Sequence, residues 1–255
     1  MISTIVYQHY LIQLAKYMKN IISSYKSCFS NKRYFYSCML AIFLFVISIV
    51  MSTYAVEYAT YSASGSVTDI VLSNVPVFDV DSIFVNGAIV MVLFIICVCL
   101  WEPERIPFVL KTISIFIVIR SLFIILTHIG AFPTHAVINP STQNLIEDII
   151  GKNLYSSFFL GNDSFFSGHT GLPFLMAFLY WDKKWLRYIF LAFSILFGIT
   201  VLLGHLHYTI DVLSAFFISY GIYRMCRRLF PNDLHREIVG GWNSFSSTTI
   251  SVNLK

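Results

Sequence analysis

Charged side chains are scarce in this chain of 255 residues: only 12% are Asp, Glu, Lys or Arg, whereas 57% are hydrophobic. Soluble globular domains carry about 25% charged residues because their surfaces face water. The shortage excludes an ordinary soluble domain and predicts an integral membrane protein. The net charge is only +4. Membrane topology and the attraction of basic residues to anionic lipid head groups explain this small excess, so it does not indicate a nucleic-acid partner.

Cysteine is also infrequent, and none of the five cysteines lies on a segment that we expect to face an oxidising compartment. We therefore expect no disulfide. Cys97 and Cys99 are two residues apart and would face different directions on a helix, which favours packing over metal ligation.

Long apolar stretches, by contrast, recur six times. A helix needs about 20 mostly apolar residues to cross about 30 Å of hydrocarbon. The predicted spans are 34–54, 82–100, 109–128, 165–181, 185–204 and 208–226. The predicted fold class is all-α, a polytopic bundle of six transmembrane helices. The first span is too long and too far from Met1 for a cleaved signal segment, so we interpret it as a signal anchor.

Basic residues are nearly missing from alternate connections. Residues 55–81 and 129–164 contain only Lys152, and fifteen other Lys and Arg residues fall on the opposite side of the predicted bundle. Cytoplasmic segments retain positive charge, so both termini are predicted to be cytoplasmic. The chain then divides into a cytoplasmic N-terminal segment at 1–33, a catalytic membrane domain at 34–226 and a cytoplasmic tail at 227–255. The first segment fits an amphipathic helix and a mobile basic tail equally well.

Two polar blocks interrupt the apolar half, at residues 167–170 (SGHT) and 207–211 (HYTID). Ionisable groups at a membrane boundary are costly, so such a cluster is a functional-site hypothesis. His169 and His207 both fall at predicted outer helix ends. Helix N-termini attract anions, and the amides of Ser167 and Gly168 would close on a phosphate.

The spacing of His207 and Asp211 would place them on one face of a helix, where the carboxylate accepts from one ring nitrogen. A histidine oriented in this way is a competent nucleophile or general base, and His169 would supply the acid for the leaving group. His205 cannot share that helical face and is the weaker, auxiliary candidate.

Arg120 lies within the third span, eight residues before His128, and therefore about 12 Å below the outer helix end. A guanidinium at that depth needs a partner. It would either clamp a lipid phosphate bidentately or form a structural ion pair with Asp211 or Asp163, and we favour the phosphate.

These segments resemble motifs of the sphingomyelin synthase branch of the PAP2 lipid phosphatase and phosphotransferase superfamily. Residues 161–170 (GNDSFFSGHT) and 205–212 (HLHYTIDV) are similar to its third and fourth motifs. Residues 76–79, and Arg120 with the following Thr127 and Pro133, are weaker likenesses. The resemblance covers roughly residues 70–226.

The resemblance implies a His-His-Asp triad that faces away from the cytoplasm and uses no metal or other cofactor. His207 would attack the phosphorus of a phospholipid donor, and His169 would protonate the departing diacylglycerol. A phosphohistidine would then pass its head group to ceramide or a similar lipid alcohol. Water in place of that alcohol would give phospholipase C-like or lipid phosphate phosphatase hydrolysis, which is the runner-up function.

Three departures from the superfamily pattern bear on the reaction. Leu206 stands where members of the branch commonly have an acidic residue, which affects the choice of head group. Thr200 and Val201 replace a Ser-Arg pair of the broader superfamily, and no Lys lies seven residues before Arg120. These features favour phosphodiester exchange over phosphomonoester hydrolysis. A haem-binding electron carrier and a transporter are the rival readings of histidines and charges at this depth.

Overall fold

Helices form the whole of the regular secondary structure in the computed structural model, which describes residues 7, 18–127, 129–134 and 165–233. Within those ranges there is no β-strand, so the predicted all-α class is confirmed. Asp163, His128 and most of the connection 129–164 lie outside the described residues.

Six principal helices coincide with the six predicted apolar stretches, and a helical segment at 18–30 precedes them. A π-helical turn, Ser82–Asn86, leads into the second helix, and a 3₁₀ turn, Pro103–Arg105, leads into the third. The six helices are α1 (Lys32–Ser62), α2 (Gly87–Trp101), α3 (Ile106–Thr127), α4 (Gly168–Leu179), α5 (Lys184–Leu203) and α6 (Thr209–Leu229).

Four of these helical stretches are long and apolar enough to cross a membrane: Lys32–Ser62, Ser82–Trp101, Pro103–Thr127 and Lys184–Leu203. This confirms a multi-pass membrane protein. α4 has only 12 residues and contains Pro173, and α6 has Arg227 and Arg228 in its last turn. The arrangement of six spans and the cytoplasmic termini therefore remain predictions.

The helices pack in two groups, which meet where α3 contacts α6 and α4. α1 packs along α3, while α4 lies against α5 and α6. Hydroxyl groups hold α4 in place, because Ser194 donates to the carbonyl of Thr170 at 2.8 Å and Ser219 donates to that of Gly171 at 3.0 Å. These bonds fix the first turn of α4, which carries His169.

Two buried ionic clusters occupy the end of the bundle where α3 begins, here called the ion-pair end. Arg105 donates to Asp182 at 3.0 and 2.6 Å and to Glu102 at 2.6 Å. Lys111 donates to Asp233 and to Ser37, each at 2.7 Å. Buried charges must be paired, and these pairs join α1, α3, the end of α4 and the segment after α6.

Candidate active site

The first turn of α4 is shaped by Ser167, which is its N-cap residue. The Ser167 hydroxyl oxygen accepts from the amide of Thr170 at 3.3 Å and from its hydroxyl at 3.1 Å. Ser and Thr are favoured at helix N-caps for this reason. Because Ser167 is completely buried, its side chain stabilises the turn, and the amide of Gly168 leads the helix.

Arg120 reaches this turn from α3. Its Nε donates to the carbonyl of Phe166 at 3.3 Å, and a Cβ added at Gly168 would lie 3.0 Å from the same nitrogen. α3 ends at Thr127, so Arg120 lies about 10 Å below the helix end. The structure thus brings together the three residues predicted to bind phosphate: Arg120, Ser167 and Gly168.

His207 lies close to Asp211, but not in the way that their spacing in the sequence predicted. The spacing predicted that both residues share a helical face, whereas α6 begins at Thr209 and His207 precedes it. The chain bends at this position and leaves His207 Nδ1 at 3.6 Å from Asp211 Oδ2. That distance is too long for a hydrogen bond. Among the described residues, His207 Nδ1 has no hydrogen-bond partner although it is buried.

Asp211 connects the two polar blocks. Its Oδ2 accepts from the backbone N–H of Tyr208 at 2.9 Å, which caps α6. Its backbone carbonyl accepts from the N–H of Ser167 at 3.1 Å. The starts of α4 and α6 are therefore hydrogen-bonded to each other, and Asp211 is buried at 1% exposure.

His169 completes the cluster as the second residue of α4. It directly follows Gly168, whose backbone lies beside the Arg120 guanidinium. The ring of Phe84 lies 4.3 Å from the His169 ring, centroid to centroid, and the ring of Phe197 lies at 5.9 Å. The predicted residues His169, His207, Asp211 and Arg120 thus occupy one end of the bundle, here called the site end.

His205 is held by partners on both sides of its ring. Nδ1 lies 2.5 Å from the hydroxyl oxygen of Thr134, and Nε2 lies 3.1 Å from the carbonyl of Val75. The residue also adopts a φ of 52°, a conformation that non-glycine residues rarely take. This geometry makes His205 an anchor for two connecting segments and leaves His207 as the better placed imidazole.

Sequence reasoning missed Asp69, which caps α6 from another part of the chain. Its carboxylate accepts from the amide of Thr209 at 2.7 Å and from the hydroxyl of Thr209 at 2.8 Å. Burial raises the pKa of Asp69, but hydrogen bonds from Thr209, Leu72 and Val71 outweigh it, so the net pKa is lowered. No signal in the local sequence links residue 69 to residue 209, because they are distant along the chain.

Tyr208 was also missed. Its hydroxyl donates to the carbonyl of Gly130 at 2.8 Å and accepts from the amide of Val67 at 3.2 Å. Together with Asp69 and His205, Tyr208 ties the connections at 63–81 and 129–134 to the start of α6. These bonds hold the segment that carries His207.

The cluster combines the groups that phosphoryl chemistry requires. A guanidinium and the leading amides of a helix bind anionic oxygens, and two imidazoles provide a nucleophile or base and an acid. Within the part of the chain that the structure describes, no group of three His, Cys, Asp or Glu side chains is arranged to hold a metal ion.

The fold is that of a multi-pass membrane protein, and the cluster at its site end is a candidate anion site. Residues 161–228 match the family model described as PAP2 superfamily C-terminal. The match includes both polar blocks and supports the PAP2 superfamily, whose members are usually phosphatases or phosphotransferases. It therefore supports an enzyme.

The chain is also similar to an uncharacterized protein of Methanocaldococcus jannaschii. The two are 30% identical over 110 residues, which are 43% of this chain. The chain spans less than half of that relative, 44% of its length. No solved structure matches the chain.

Proposed function

We propose that the protein is a lipid phosphotransferase of the sphingomyelin synthase type. It moves a phospho-head group from a glycerophospholipid to ceramide or a similar lipid alcohol. The observation that supports this most strongly is the convergence of Arg120, the first turn of α4 and the His207–Asp211 pair at one end of the bundle. Double displacement at phosphorus needs a carboxylate beside the nucleophile, a cation that binds the phosphate, and two imidazoles, and this cluster contains all of them.

In the first half-reaction His207 Nε2 attacks the phosphorus atom. A P–N bond forms while the P–O bond to diacylglycerol breaks, and His169 donates its proton to the departing oxygen. Asp211 stabilises the positive charge that develops on the His207 ring. The 3.6 Å separation of Nδ1 and Oδ2 must shorten for this role, and catalytic hydrogen bonds commonly tighten when substrate binds.

In the second half-reaction the acceptor alcohol takes the head group. His169, now neutral, removes the hydroxyl proton, the new P–O bond forms and the P–N bond breaks. Arg120 and the leading amide of α4 hold the non-bridging oxygens through both steps, where negative charge accumulates. His169 ends protonated, as it began.

We further propose that the site faces away from the cytoplasm. The scarcity of Lys and Arg in the connections 55–81 and 129–164, which contain only Lys152, supports this orientation. A site at the membrane boundary would accept both lipids without removing them from the bilayer, since their head groups lie at that level.

Product analysis tests the proposal. Purified protein in liposomes of phosphatidylcholine and phosphatidylethanolamine is given a fluorescent short-chain ceramide, and the lipids are separated by chromatography. We expect a new fluorescent phospho-ceramide whose mobility identifies the head group. Catalytically inactive H207Q protein serves as the control for contaminating enzymes.

Two other outcomes would change the conclusion. Diacylglycerol or inorganic phosphate released without a ceramide product would favour hydrolysis by the same site. A lipid profile equal to that of the H207Q control would contradict both reactions.

A further inference from the structure

Phe84 stands next to the candidate acid at a point where helix geometry is irregular. It belongs to the π-helical turn Ser82–Asn86, which precedes α2. Turns of this kind are rare and occur frequently at functional sites. A departure from regular helix geometry that the local sequence does not require is expected at functional sites.

The ring of Phe84 contacts the imidazole of His169 directly. The centroids are 4.3 Å apart and the rings are inclined by 40°, which is closer than most aromatic pairs. Phe84 is only 3% exposed, so its ring is fixed by the surrounding core. A fixed ring at this distance restricts the rotation of the His169 side chain.

A second aromatic side chain, Phe197, completes this wall. It lies 5.9 Å from the His169 ring and packs against α2 at Gly87. A Cβ at residue 87 would lie 3.2 Å from Phe197 Cε1, so the glycine lets α2 approach α5. The π-helical turn and Phe197 therefore form one continuous surface beside His169.

From this geometry we infer that Phe84 is a positioning residue for His169. The inference rests on the proposed function, in which His169 transfers protons to and from lipid oxygens. An acid or base must lie within hydrogen-bond reach of the proton that it moves, and a misplacement of about 1 Å costs about 100-fold in rate. Phe84 supplies that placement through contact, without touching substrate.

The matched test compares F84L with F94L. Phe94 lies on α2 and packs against Phe190 and Phe193, but it is ten residues further along, about 15 Å away. Both variants remove one aromatic ring from the continuous helical stretch Ser82–Trp101. Only F84L removes the ring that contacts His169.

The first readout does not depend on activity. Holding each protein in lipid nanodiscs, we would treat it with diethyl pyrocarbonate and follow modification of each histidine by mass spectrometry. We expect F84L to raise the modification rate of His169 several-fold relative to His207, and F94L to leave that ratio unchanged. An unchanged ratio in F84L would overturn the inference.

The second readout is the split between kcat and KM in the ceramide assay. We expect F84L to lower kcat by about 10- to 100-fold with little change in KM, and F94L to lower neither. Equal losses in both variants would mean ordinary core packing and would refute positioning. If F84L does not fold, F84M takes its place, because methionine fills similar core space.

The two hypotheses fail in different ways. A wild-type protein with neither transferase nor hydrolase activity would refute the proposed function. In that case the histidine modification rates still decide whether Phe84 restrains His169.

Discussion

Lys111 and Arg120 lie on the same helix, nine residues apart, and their surroundings differ. At the ion-pair end Lys111 is held by Asp233 and Ser37, and nearby Arg105 is held by Asp182 and Glu102. At the site end Arg120 donates to a backbone carbonyl beside the first turn of α4. His207, nearby, has an Nδ1 atom without a hydrogen-bond partner among the described residues.

The difference indicates two uses of polar groups in an apolar bundle. Charges at the ion-pair end are matched by carboxylates, so removing one partner leaves a buried charge and costs stability. In the proposed function, the polar atoms at the site end bind an anion that the substrate brings. Such groups contribute to activity and little to stability.

The largest expected effect is at His207. We expect H207Q to lower turnover by at least about 10⁴-fold, as removal of a nucleophile does in other covalent mechanisms. The free energy of unfolding should change by less than about 1 kcal/mol, since Nδ1 makes no hydrogen bond in the described structure. Activity in the lipid assay and thermal unfolding of the same preparation would be measured.

His205, two residues away, provides the matched control. Both of its ring nitrogens have partners, so H205Q should lower the free energy of unfolding by about 1–3 kcal/mol. The folded fraction should keep its activity. If H205Q abolished turnover and H207Q did not, the assignment of the nucleophile would be wrong.

The next effect concerns Lys111. We expect K111M to lower the free energy of unfolding by about 3–5 kcal/mol, because it removes the Lys111 ammonium from the buried Asp233 carboxylate. The double variant K111M/D233N should recover most of that loss, since no charge then remains. Denaturation in mixed micelles would measure the free energy of unfolding of both variants. We expect the folded protein to retain its turnover. A K111M variant as stable as wild type would show that the ionic cluster does not stabilise the bundle.

A smaller effect is expected from a single methyl group at Gly168. Its Cβ would meet Arg120 Nε at 3.0 Å, so G168A should displace the guanidinium by a few tenths of an ångström and lower turnover about 10-fold. G221A is the control, because a Cβ at that position in α6 meets nothing within 4 Å. It should raise stability by up to about 1 kcal/mol. Equal activity in G168A and G221A would show that the position of Arg120 does not affect the reaction.

The smallest effect concerns Asp69, a carboxylate of the site end that is paired. Its pKa in the folded protein lies below the ordinary value of 3.8. Its contribution to stability is therefore complete above that ordinary value and is lost as the pH falls through the lower, folded value. Between pH 6 and pH 3, the midpoint temperature of thermal unfolding should fall more steeply for wild type than for D69N. Parallel curves would indicate that the cap at Thr209 does not form.

Much of this arrangement was predictable from periodicity and composition. The apolar stretches identified the six principal helices of the described residues, because burial in lipid requires long apolar runs. Their ends agree within five residues, except that α1 continues eight residues beyond the predicted end, to Ser62. The likeness of residues 161–170 and 205–212 to known motifs directed attention to the starts of α4 and α6, which a hydrogen bond between Ser167 and Asp211 joins. The catalytic roles and the six-span topology remain predictions.

Other features depended on contacts between distant segments. Asp69 binds Thr209 across 140 residues, and no local pattern predicts such a pairing. The spacing of His207 and Asp211 suggested a shared helical face, yet Asp69 and Tyr208 fix the start of α6 beyond His207. The amide of Ser167 was predicted to help bind phosphate, whereas it donates to the carbonyl of Asp211. In each case tertiary hydrogen bonds decided where a helix begins.

The central claim is that His207 carries the head group during transfer, and trapping that intermediate tests it most directly. The protein would be mixed with a phospholipid labelled in its head-group phosphate, without acceptor, and stopped in alkali, where phosphohistidine survives. Peptide mass spectrometry would then locate the label. We expect label on His207 that is lost when ceramide is added and that is missing from H207Q. Label on another residue, or a labelled product formed by H207Q, would contradict it.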